Sequence, residues 1–164
     1  MRIDRIASWA LALALAAALA FMVGLPKLIG SSPNPIFAII AARSGIALFE
    51  PYVRYATGFA EIGAALLLLW PASRRFGALL AAAITTGAIG FHLSPWLGVR
   101  VPDMTQLTTL LAQGKSVAEI DAMRLPSDGG ALFMTALAFL VMALAIIWLE
   151  RGLSGAGKSG KQTS

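Results

Sequence analysis

Four long apolar runs divide the chain, over residues 6–25, 52–70, 76–97 and 131–149. Arg2 and Arg5 precede the first, and Pro26 breaks it. Pro71 stops the second, Pro95 lies near the end of the third, and Glu150 and Arg151 follow the fourth. Each run is long enough to cross a hydrocarbon core of about 30 Å at about 1.5 Å per helical residue. A helix satisfies its own backbone groups where no water can. The pattern therefore predicts an all-α fold, an integral membrane four-helix bundle. One domain covers 1–150. Residues 151–164, rich in Gly and Ser, read as a flexible basic tail.

The connections differ in kind. Residues 71–75 make a tight basic link. The loop after Pro26 carries Ser31, Ser32, Pro33, Asn34 and Pro35, which turn the chain. Its second half, 36–50, is apolar but too short to span and is interrupted by Arg43. It reads as an interfacial or re-entrant helix. In the loop 98–130, Asp103 with Gln106 and Ser116 with Glu119 have the spacing of capping boxes. They predict short helices at 104–113 and 117–124, split by Gly114. Leu107, Leu110 and Leu111 share one helical face. A lid over the bundle mouth is the plainest use for it; headgroup or partner contact are the others.

Composition supports the membrane reading. Hydrophobic residues make up 58% of the chain and charged ones 13%, against roughly 25% charged in an average soluble domain. So little charge excludes disorder. So much apolar surface exceeds what a small soluble fold hides. Of the 13 basic residues, Arg2, Arg5, Arg74, Arg75, Arg151, Lys158 and Lys161 lie in the short end segments. Asp4 and Glu150 are the only acids there, so these segments carry the net charge of +5. The positive-inside rule then predicts that both termini are cytoplasmic and the two longer loops face outward. No basic run is long enough to follow a nucleic-acid backbone. A signal peptide competes for the first run, with Ala18-Leu19-Ala20 as cleavage site. The run is long for that and continues past the triplet, which favours a span.

With no cysteine and one histidine, disulfides, thiolate metal sites, bis-histidine haem and two-histidine zinc sites are excluded. No metal-binding set is predicted. No P-loop, dinucleotide fingerprint or serine-hydrolase elbow occurs.

Chemistry then rests on polar groups in expensive places. Glu61 lies in the middle of the second run, about 13 Å from its outer end at the helical rise. A carboxylate there must face the bundle interior, pair, or take up a proton. A polar staple between helices is the alternative. His92 lies about 7 Å inside the third run by the same rise. It ends a small-residue face formed by Gly77, Ala81, Thr85 and Ala88. A Glu61–His92 hydrogen bond is feasible, and such a pair can accept or relay a proton. Lys27, Arg54 and Asp128 converge on the same mouth as candidate ligand-binding residues; each alone reads as a snorkelling or capping residue. Gly58, Gly63, Gly87 and Gly90 read as packing positions. Trp9, Trp70, Trp96 and Trp148 fall near run ends, as an aromatic belt does.

Four segments, FMVGLPK at 21–27, GFAEIGAALLLL at 58–69, GAIGFHL at 87–93 and DGGALF at 128–133, resemble the DoxX family of small bacterial membrane proteins. The resemblance spans most of 15–150 but not 98–127. It implies a four-helix protein of the bacterial inner membrane, associated with an oxidoreductase partner subunit and holding a small lipophilic ligand such as quinone. It marks Lys27, Glu61, His92 and Asp128 as polar motif positions. The rival expectation is a non-catalytic scaffold that docks a partner through the 98–130 loop.

Overall fold

The computed structural model describes residues 2–159. Every regular element among them is helical, apart from one isolated antiparallel bridge between Pro102 and Ser127. Four helical stretches are long and apolar enough to cross a membrane: Ile3–Ile29, Ala47–Leu69, Arg74–Leu93 and Ala131–Arg151. Phe59, Leu66, Phe76, Met134, Val141 and Trp148 project outward from them, each more than half exposed. Water would penalise such a surface and lipid covers it. The protein is a multi-pass membrane helical bundle.

The bundle closes on small residues. Ala64, Ala78, Ala81 and Ala143 have no exposed surface, and Leu15, Leu68 and Ile146 fill the space between them. Lipid gives helices no hydrophobic reason to associate, so close approach through small side chains supplies the contact. The hairpin of α4 (Tyr52–Leu69) and α5 (Arg74–Leu93) shows it most clearly. A Cβ on Gly77 would lie 2.7 Å from the Leu68 nitrogen, closer than real contacts allow.

Two span boundaries differ from the sequence expectation. Pro26 does not end the first span. That span is α1 (Arg2–Ala17), a π-helical stretch Ala18–Gly24, and α2 (Leu25–Ile29). Proline has no N–H and its ring crowds the carbonyl four residues back. The wider turn, in which the Leu25 N–H reaches the Ala20 carbonyl, takes up the misfit and the helix runs on. The third span stops at Leu93 rather than 97. Ser94 is extended, with ψ 159°, as the residue before Pro95 must be to avoid the proline ring. The last span belongs to α8 (Ala131–Ser159), which continues helically into the segment read as a flexible tail. Residues 160–164 lie outside the described residues.

The loops build a lid. Helix α3 (Pro35–Ser44) starts at Asn34, whose side chain accepts from the N–H groups of Ile36 and Phe37. It ends at Gly45, whose φ of 73° suits glycine. It does not span. Ile39 and Ile40 pack with Leu97, Val101, Leu107, Leu111, Val117 and Ile120 in a second apolar core. The last four belong to α6 (Met104–Ala112) and α7 (Val117–Ala122). Asp103 caps α6, and Ser116 and Glu119 form the reciprocal box at α7. Both helices end within two residues of the expected positions. Arg43 ties α3 to α7 through both carboxylate oxygens of Asp121, at 2.7 and 3.3 Å, and also donates to the Trp96 carbonyl. The apolar face of α6 is thus turned inward onto the lid core.

Candidate functional site: a polar-ended cavity between α4 and α5

A cavity of about 410 Å³ lies beneath the lid. Val53, Ala56, Thr57, Ala60 and Glu61 of α4 form one wall, and Ala83, Ile84, Gly87, Ala88, Phe91 and His92 of α5 the other. Ile36, Phe37 and Ile40 of α3 roof it together with Leu97, and Lys27 of α2 enters from the side. Ala56, Ala83, Gly87 and Ala88, all within the apolar spans, are exposed. The cavity therefore opens sideways, where lipid tails lie. Among its lining side chains only Lys27, Thr57, Glu61 and His92 are polar.

Helix α2 brings Lys27 to Glu61. Its Nζ lies 2.6 and 2.7 Å from the two carboxylate oxygens, and 3.4 Å from the Val23 carbonyl. Two glycines allow that approach. A Cβ on Gly58 would meet Leu28 at 2.8 Å and the Lys27 Cβ at 3.1 Å. A Cβ on Gly24 would meet the Ile62 side chain at 2.9 Å. The ion pair therefore sits where two backbones come unusually close, and Glu61 is buried with its countercharge beside it.

His92 is buried in the last turn of α5, nearer the helix end than the sequence indicates because α5 stops early. Its Nδ1 lies 2.9 Å from the Gly98 carbonyl. A carbonyl only accepts, so Nδ1 carries a proton, and in the neutral form of the ring Nε2 is the acceptor. Phe133 meets the ring edge-on at 5.8 Å between centroids.

The structure thus sorts the five candidate residues. Lys27, Glu61 and His92 share one cavity. The direct Glu61–His92 hydrogen bond is not formed, because Lys27 occupies the carboxylate and the Gly98 carbonyl occupies the imidazole N–H. Arg54 does not line the cavity. It is buried against Glu50, with Nε 3.0 Å from the carboxylate, and donates to the Lys27 carbonyl at 3.1 Å. Its guanidinium lies 4.3 Å from the centre of the Tyr55 ring. It braces the chain after Lys27. Asp128 does not line the cavity either. Its carboxylate accepts from the N–H groups of Val101, Gly130 and Leu132 at 2.8–3.1 Å, fastening the loop end and starting α8. Burial works to raise its pKa. Those three N–H groups, with the charge of His92 in its protonated form, outweigh burial and hold it below the usual Asp value.

Of the four glycines read as packing positions, Gly58 is one. A Cβ on Gly63, Gly87 or Gly90 would meet nothing within 4 Å, and Gly87 instead leaves room in the cavity wall. Sequence reasoning also missed Thr57, Phe91 and the α3 roof. No local signal marks them, since they meet only once α3 folds over the bundle. At the opposite end a second buried cluster forms. Arg74 donates to Glu150 (3.1 Å), to Ser8 (3.3 Å) and to the Leu68 carbonyl (3.1 Å), and lies 3.9 Å from the centre of the Trp9 ring. The sequence marks Arg74 only as a loop charge. Among the described residues no group of three or more His, Cys, Asp or Glu is arranged to hold a metal ion.

No family model, curated protein or solved structure matches the chain.

Proposed function

We propose that this protein holds a small lipophilic ligand, such as a quinone, inside the bilayer, as the membrane subunit of an oxidoreductase system. One observation carries the reading. The cavity is apolar along its length, opens toward lipid, and ends in an ion pair and an imidazole. Apolar pockets with a few convergent polar groups are the usual design of ligand sites. In this reading the tail lies along Ala56, Ala83 and Ala88 and the head meets Glu61 and His92. Those two groups exchange protons with it, and Lys27 sets the charge beside them. Arg54 and Asp128 hold the frame rather than the ligand.

Resemblance to the DoxX family supports the same role and a bacterial inner-membrane location. Clustering of basic residues in the end segments supports cytoplasmic termini. The rival, a scaffold docking through the 98–130 loop, is weakened because Leu107 and Leu111 are already buried in the lid. Extraction in mild detergent followed by mass spectrometry of bound lipids tests the proposal. The wild type is expected to carry a prenyl or alkyl quinone in its oxidised or reduced form, and Gly87→Leu, which fills the cavity, to lose it. Equal recovery from both, or a partner protein lost only on deleting 103–124, favours the scaffold.

A further inference from the structure

The proton inventory of the cavity narrows the ligand further. Lys27 has three N–H bonds, directed to the two Glu61 oxygens and the Val23 carbonyl. The Thr57 hydroxyl donates to the Val53 carbonyl at 2.7 Å. The Nδ1–H of His92 is given to the Gly98 carbonyl. Every donor on the polar side chains lining the cavity is therefore committed within the protein. What remains, with the imidazole in its neutral form, is acceptor capacity: Nε2 of His92, lone pairs on the Glu61 carboxylate, and lone pairs on the Thr57 oxygen.

We infer that the cavity selects an uncharged lipophile whose head donates hydrogen bonds, a hydroquinone, phenol or alcohol, over the corresponding carbonyl compound. This rests on the proposal that the cavity is a lipophile site. A quinone carbonyl entering it meets acceptors only, and its oxygens lose water without gaining a donor. A hydroquinone instead presents an O–H donor to Nε2 of His92 or to Glu61, the acceptors that the site offers. An anionic head meets the Glu61 carboxylate with Lys27 already neutralised. In a site excluded from water the mismatch is costly, because an unmade hydrogen bond forfeits the full desolvation of the group.

The test uses the full chain in lipid nanodiscs at pH 8 under argon. It compares three probes with the same decyl tail: a hydroquinone, its quinone, and its dimethyl ether. The hydroquinone is expected to bind about tenfold tighter than the other two, a difference of about 1.4 kcal/mol. His92→Phe is expected to reduce that preference several-fold, through loss of hydroquinone affinity. Thr57→Val, which leaves the His92 and Glu61 contacts in place, serves as a second variant if His92→Phe does not fold, and is expected to reduce the preference by a smaller factor. Equal affinities for all three probes overturn the donor selectivity and leave a lipophile site standing. Tighter binding of the quinone also overturns it. Failure of all three to bind removes the lipophile site itself, and the selectivity with it.

Discussion

Lys27 and Glu61 are 34 residues apart and hold each other through both carboxylate oxygens. Neither charge is tolerable alone in a low-dielectric interior. Removing one partner from a buried pair costs about 3–5 kcal/mol, whereas replacing both with apolar groups costs little. Lys27→Met and Glu61→Leu are each expected to lower unfolding free energy in detergent by about that much. The double variant should recover most of the loss. Simple additivity in that cycle would show that the two side chains do not depend on one another.

The approach of α2 to α4 makes a separate prediction through the glycines. Gly58→Ala places a methyl 2.8 Å from Leu28 and should cost about 1–3 kcal/mol, the usual range for overpacking. Gly87→Ala meets nothing within 4 Å and replaces a helical glycine, so it should be neutral or stabilising by up to about 1 kcal/mol. Thermal unfolding of the two variants beside the wild type gives the comparison. Equal effects would contradict the geometry.

Asp128 makes the lid dependent on pH. Its native pKa lies below the ordinary value of 3.8, so the folded state favours the carboxylate. The stabilisation is fully present above the unfolded value near 3.8 and is lost as pH falls through the lower native value. Proteolysis within 98–130 should accelerate over that acid range. Asp128→Asn, which cannot ionise, should be cut faster at neutral pH and lack the acid-dependent step. A variant cut at the wild-type rate at pH 7 would contradict this role.

Arg74 organises the far end and not the cavity. Arg74→Met removes the ion pair to Glu150 and the hydrogen bonds to Ser8 and the Leu68 carbonyl, while Ser8 still donates to Glu150, and about 1–3 kcal/mol of stability should be lost. Ligand affinity measured on the folded fraction should remain within twofold of wild type. A tenfold loss of affinity would tie the two ends together.

Much of the fold is written in the hydropathy pattern. Run length alone places four spans, because hydrocarbon thickness sets it. Ser116 with Glu119 and Asp103 with Gln106 announce α7 and α6, since capping is local. Boundaries were less legible where proline acts. Pro26 reads as a stop, yet a π turn accommodates it, while Pro95 ends α5 earlier than the apolar run suggests. For the site, Glu61 and His92 stand out because each is costly where it lies. Their actual partners do not stand out. Lys27 reaches Glu61 through glycines on two different helices, and the Gly98 carbonyl that takes the His92 proton comes from an irregular loop. Arg54 and Asp128 converge on the same end but are drawn into bracing and capping, a distinction set by three-dimensional contacts alone.

Photo-crosslinking with an azido-alkyl hydroquinone in nanodiscs under argon tests most directly whether the cavity holds the ligand. Adducts are expected on the peptides carrying Thr57, Ala88 and Phe91, displaced by excess unlabelled hydroquinone and absent in Gly87→Leu. Adducts spread over outward-facing positions such as Leu66 and Val141, unaffected by competitor, would contradict the account.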